Sequence, residues 1–180
     1  SPHEKSTLNY LKILNPISND LDVLRRSIYS NLSIHLKKNQ DRGYEDLSLF
    51  EIGPTFFGKN PGEQQIVVGA LKSGKVSRKS WIEKERNVDV FDIKSDVIQT
   101  LIELGVSEQN LFVSDNTKQP YHPGRSGSIN LKSEKGPLLA YFGELHPAIT
   151  KKLDFKEPNI YGFEIFLKNM KEPNKKVRLS

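Results

Sequence analysis

The sequence predicts an α+β fold built on a largely antiparallel sheet. Three observations carry this: about seven short apolar or alternating segments read as strands, many of them are joined by tight turns, and the three amphipathic segments are scattered among them. A regular alternation of strand and helix, which would give a parallel sheet, is absent. With 180 residues the chain fits one ordinary domain and buries a core without staples. We place that domain at 8–170, with 1–7 and 171–180 as terminal flanks or linkers; charged, polar ends lead us to expect a segment of a longer polypeptide.

The elements follow in order. Leu8 to Ile17 (LNYLKILNPI) reads as a strand bent by the Asn-Pro step. One helix is then expected from Ser18 or Asp20, its apolar stripe being Leu21, Leu24, Ile28, Leu32 and Leu36, and Gly43 ends the segment. The next strand, SLFEIGPTF (Ser48 to Phe56), sets Leu47, Leu49 and Glu51 on one face and Phe50 and Ile52 on the other. Gly53-Pro54 and KNPGE punctuate a hairpin whose return is Gln65 to Lys72. The basic loop Ser73 to Asn87 carries Trp81, expected to anchor it by packing, and VDVFDI reads as a strand. KSDVIQTLIELG is an amphipathic helix stopped by Gly105. After NLFVSD and the loop NTKQPYHPGRS, strands read at Ser128 to Ser133 and Pro137 to Leu145. HPAITKKLD is a short helix opened by Pro147, and NIYGFEIFL is the last strand.

Composition narrows the chemistry. The net charge of 27 − 22 = +5 favours anionic partners without demanding nucleic acid. With no cysteine there is no disulfide or thiolate chemistry, which suits a cytosolic origin. No apolar run approaches the roughly 18 residues that cross a bilayer. His3 and His35 lack ligand-spaced companions; the HPGR stretch His122 to Arg125 reads as a turn, with an anion-binding loop as the alternative. SGKVS lacks the glycine spacing of a phosphate loop, and Ser126, Ser128 and Ser133 lack a nucleophile pattern. In the basic loop the cations alternate with Glu83 and Glu85, as on a solvated surface; contact with RNA phosphates is the alternative. Glu51 looks inward, so a partner is expected for it, since an unpaired buried carboxylate costs several kcal/mol.

Taken as an ordered set, LNPISNDLDVLRRSIYSNL, LSLFEIGPTF, VDVFDIKSDVIQTLIELG, YHPGRSGSI and FGELHPAITKKLD resemble the β subunit of bacterial phenylalanyl-tRNA synthetases, over about Leu8 to Leu167. The resemblance implies the catalytic-like domain of that subunit: an antiparallel sheet flanked by helices, as in class II aminoacyl-tRNA synthetases, with the working active site in the α subunit. It also implies an α2β2 phenylalanine-tRNA ligase in the cytoplasm that uses ATP and Mg2+ and acts on tRNA-Phe, with editing, RNA-binding-like and anticodon-binding domains elsewhere in the β chain. No catalytic, cofactor or metal residue is expected here. Leu49 stands two residues before Glu51, where the resemblance implies an arginine in a working site; the third class II motif is missing, and GELHP has no cation beside it in sequence. Arg25, Tyr29, Glu51, Trp81, Arg125 and His146 are therefore structural or interface candidates. The α contact is expected in Leu8 to Lys38 with Tyr29 or Arg25 as anchor, internal core being the alternative, and Arg25 or Arg125 is the expected partner of Glu51. The rival function is a residual nucleotide-binding or tRNA-contacting surface in the cleft.

Overall fold

A computed structural model of the chain describes residues 16–56, 60, 62–76 and 80–170, with side chains from Leu21 onward. The expected strand Leu8 to Ile17 lies outside the described residues as far as Asn15, and Pro16 and Ile17 open a helix. This is α1 (Pro16–Arg26), followed by α2 (Tyr29–Asp41), β1 (Leu47–Phe56), β2 (Gln64–Ser73), α3 (Val90–Glu103), β3 (Leu111–Ser114), β4 (Tyr121–Leu131), β5 (Leu138–Leu145), α4 (Pro147–Lys152) and β6 (Tyr161–Phe166). Among the described residues the six strands form one sheet in the order β1-β2-β6-β5-β4-β3, every neighbour antiparallel.

Two cores result, one on each face. α3 covers one side, where Ile93, Val97 and Leu101 meet Val68, Ile129, Ala140, Phe163 and Ile165. On the other, α1, α2 and α4 cover Val67, Leu71, Tyr121, Leu145 and Phe166 with Leu24, Ile28, Tyr29, Leu32, Leu36 and Ile149. The apolar stripe of the N-terminal region is therefore buried as the spacing predicts, but on two helices. The Ser27 hydroxyl donates to the Leu24 carbonyl at 2.7 Å and accepts the Tyr29 amide at 3.1 Å, replacing ladder bonds with local ones and breaking the helix there.

VDVFDI is not a strand. The Asp89 carboxylate accepts the amides of Phe91 and Asp92, and Asp92 returns a bond to the Asp89 amide, so a reciprocal cap opens α3 at Val90. Arg86 grips Asp92 with two bonds of 2.6 and 2.7 Å and holds its carboxyl down at about 2. Asp89→Ala is expected to lower stability by about 1 kcal/mol, read by urea unfolding, while Asp89→Asn loses less. Gly53 and Pro54 do not turn the chain either; they lie inside β1, where proline is tolerated because β1 is an edge strand. YHPGRS likewise belongs to β4, with a register shift between Tyr121 and Ser126 in place of the expected turn.

Candidate functional site

β1 keeps its expected alternation, so Glu51 faces the α1 and α2 side. Its neighbours across the sheet are Gly69 on β2 and, beyond, Glu164 on β6. Cross-strand partners share a face, so two carboxylates two strands apart flank a residue without a side chain. Ile28, in the break between α1 and α2, fills that gap: a Cβ on Gly69 would overlap the Ile28 side chain. The result is the floor of a cleft of about 1020 Å³, its walls including Arg25, Asn31, Thr55, Lys118 and Phe166.

Neither carboxylate is met by an arginine. Asn31 Nδ2 donates to Glu51 Oε1 at 3.4 Å, and Glu51 Oε2, shielded from water, has no hydrogen-bond partner. Among the described residues no ion pair joins Arg25 or Arg125 to Glu51, which corrects the expected pairing. Arg25 lies exposed on the cleft wall, at the end of a helix that breaks one residue beyond Arg26. Arg125 is engaged elsewhere, as described below.

Glu164 is buried and accepts a 2.5 Å bond from the Tyr121 hydroxyl, which lies 2.7 Å from the Tyr29 hydroxyl. Since Tyr121 donates to the carboxylate, Tyr29 donates to Tyr121. Burial raises the carboxyl of Glu164, opposed by the Tyr121 bond and the nearby Lys118 charge; burial likewise raises both phenols. Tyr29 is thus fully inside the chain's own core and cannot anchor a partner, because its hydroxyl is the end of an internal chain of hydrogen bonds.

A raised carboxyl binds its proton more tightly in the folded state, so its contribution to stability falls as pH rises above the ordinary glutamate value of about 4.3. Glu164→Gln keeps an acceptor for Tyr121 and removes that dependence. Comparing urea unfolding of the two proteins at about pH 5 and about pH 8, we expect the variant to gain relative to the parent at the higher pH. A gap that is constant across the range would show that burial does not raise this carboxyl.

A second cluster joins the two short motifs HPGRS and GELHP. Ser126 pairs with Gly143, Arg125 Nε donates to Glu144, and the rings of His122 and His146 stack with centroids 6.1 Å apart. GELHP therefore does have a cation beside it, delivered across the β4–β5 register from nineteen residues away. His146 Nδ1 accepts the Ala148 amide at 3.1 Å and caps α4; His122 Nδ1 accepts the Gly124 amide at 2.9 Å. Both rings thus bond the chain's own backbone, His122 within β4 and His146 at the start of α4. His35 is exposed on α2, and His3 lies outside the described residues.

Trp81 does not anchor its loop; it is 86 % exposed, next to Ile82 at 75 %. The loop is closed at its base instead, by the Lys75–Asn87 bridge, the Lys75–Glu85 pair and the Arg86–Asp92 bonds. The cations of this base thus face carboxylates of the same loop or its helix. Glu164, Tyr121 and Gly69 were missed as site residues in the sequence. The available signal was the single charge in the apolar strand YGFEIF, the same pattern that marks Glu51 in its own strand.

Among the described residues no helix is long and apolar enough to cross a membrane, and no three His, Asp or Glu side chains group as metal ligands. The family profile described as the phenylalanyl-tRNA synthetase β-chain CLM domain matches residues 3–167. The phenylalanine–tRNA ligase β subunit of Rhodospirillum rubrum is 44 % identical over 157 residues, and that of Paramagnetospirillum magneticum 41 % over 157; each alignment covers 87 % of this chain and 19 % of the relative. The chain thus spans about a fifth of the length of these relatives. A pyrrolysyl-tRNA synthetase of Desulfitobacterium hafniense shares the fold at a TM-score of 0.52, with 14 % identity, over 81 % of this chain and 48 % of that one. The sheet and its flanking helices are accordingly of the class II synthetase type.

Proposed function

Because the chain belongs to the phenylalanyl-tRNA synthetase β-chain CLM-domain family, we propose that it is a non-catalytic scaffold domain of that subunit. It packs against the catalytic α subunit in an α2β2 ligase of the cytoplasm, where phenylalanine, ATP, Mg2+ and tRNA-Phe are handled by the α site and by other β domains. The observation that carries this reading is the floor of the cleft. Ile28 sits on Gly69 between Glu51 and Glu164, so the floor of the cleft is an apolar plug flanked by acids, while the cations Arg25, Arg26 and Lys118 stand on its walls. Activation of an amino acid by ATP builds negative charge at phosphorus, and carboxylates facing it would raise the barrier.

With Tyr29 internal, the α contact falls to the exposed side of α1 and α2, which carries Arg25, Ile34 and His35. Ile34 is 52 % exposed, an apolar group with basic neighbours of the kind interfaces recruit. Two measurements test the proposal. Mixed with the α subunit, the chain should co-elute as a complex by size and light scattering, and Ile34→Glu should weaken that association. Calorimetry with ATP and Mg2+ should show no binding to the chain alone; saturable binding in the micromolar range would favour a residual nucleotide site.

A further inference from the structure

The carboxylates of the cleft floor are only partly satisfied by the chain itself. Glu164 is 6 % exposed, and the Tyr121 hydroxyl holds its Oε1. Its Oε2 has no hydrogen-bond partner among the described residues and, unlike Glu51 Oε2, is not shielded from water, so it opens into the cleft that Glu164 lines. Glu51 adds a second negative charge on the same face, with one long bond from Asn31 at 3.4 Å and an oxygen that nothing meets. A carboxylate withdrawn from water is best compensated by a donor that carries positive charge. The floor therefore selects a cation.

The walls select the opposite charge. Arg26 is paired with Asp22 at 3.2 Å, but Arg25 and Lys118 form no ion pair among the described residues, Lys118 standing 4.9 Å from the centre of the Tyr141 ring. A bare cation meets these two charges on its way in, and a bare anion meets Glu51 and Glu164 at the bottom. The acids belong to the sheet and Arg25 to α1 above it; packed layers lie roughly 8–10 Å apart, and Ile28 and Phe166 line the space with apolar surface. The two charges of a matching ligand are thus separated by an apolar span. At about 1020 Å³ the cleft has the size of a small-molecule site. We propose that it binds a small zwitterion, its ammonium group donating to Glu164 Oε2 beside Glu51, its carboxylate held by Arg25 and Lys118, and an apolar chain between them along Ile28 and Phe166. Binding of such a molecule is separate from the scaffold role, because it has no phosphate and takes no part in aminoacylation.

The test uses the full β polypeptide coexpressed with α. The probe is radiolabelled 6-aminohexanoate, which carries its ammonium and carboxylate at the two ends of a methylene chain, and binding is read by equilibrium dialysis. The expected result is saturable binding of one molecule per β chain, with hexylamine and hexanoate, which each lack one of the charges, competing at least about tenfold more weakly. Glu164→Gln and Lys118→Met, one at each end of the site, should each weaken the zwitterion about tenfold, with assembly on α checked by light scattering. Should Glu164→Gln fail to assemble, Lys118→Met decides alone, since its side chain is exposed. No saturable binding into the millimolar range, equal competition by hexylamine or hexanoate, or binding that Lys118→Met leaves unchanged would each overturn the proposal.

Discussion

Gly69→Ala destabilises the domain by about 2 kcal/mol, a fall in Tm of roughly 4–8 °C for a chain of this size. The added Cβ meets Ile28 Cγ1 at 2.8 Å and Cγ2 still closer, and Ile28 cannot retreat because it is 5 % exposed and packed in the core beneath α1 and α2. Trimming the other side of the contact should restore what the methyl costs: Ile28→Ala alone leaves a cavity, whereas the double variant refills part of it. A cycle of the four proteins is expected to give a favourable coupling of about 1 kcal/mol or more, as for side chains in direct contact. Additive effects would mean that Ile28 does not rest on Gly69. The same cycle reports on function, because the contact is what closes the sheet between Glu51 and Glu164.

Arg125→Met costs about 2 kcal/mol. Glu144 is buried, with 4 % of its side chain exposed, and Arg125 is its ion-pair partner; the bond to Glu144 in turn raises the guanidinium. Breaking a fully buried pair costs about 3–5 kcal/mol, and the figure is discounted here because the Arg125 side chain is half exposed and water screens it. Without the arginine, Glu144 is left buried with its carboxylate unpaired. Glu144→Gln in the same background should recover most of the loss at neutral pH. Urea unfolding of the three proteins checks this, and a deficit that the glutamine leaves unchanged would locate the effect in packing of the arginine stem instead.

Most strands and the inward turn of Glu51 were legible because a half-buried strand writes itself as alternation. VDVFDI shows the limit of that signal: its alternation is as good as a strand's, but Asp89 and Asp92 cap each other's amides, and a satisfied helix start prevails over the pattern. Likewise the stripe from Leu21 to Leu36 predicted burial correctly but not the break, which depends on one serine hydroxyl. The floor of the cleft was less accessible. Glu51, Gly69 and Glu164 are brought into one row by the register of three strands, and Arg125 reaches Glu144 only through the shifted register of β4. Such non-local alignments leave no spacing to read. Arg25, chosen as the partner of Glu51 for its place in a motif, failed for the same reason.

The central claim, that this domain supports an active ligase without taking part in its chemistry, is tested most directly by aminoacylation. In the full α and β enzyme, Glu51→Gln and Glu164→Gln are combined, removing both charges from the cleft floor while preserving size and acceptor atoms. kcat and KM for ATP, phenylalanine and tRNA-Phe should stay within about twofold of the parent, because a scaffold contributes no group to the transition state. A fall in kcat of a hundredfold or more, with α and β still assembled, would contradict the account and make the cleft part of the active site.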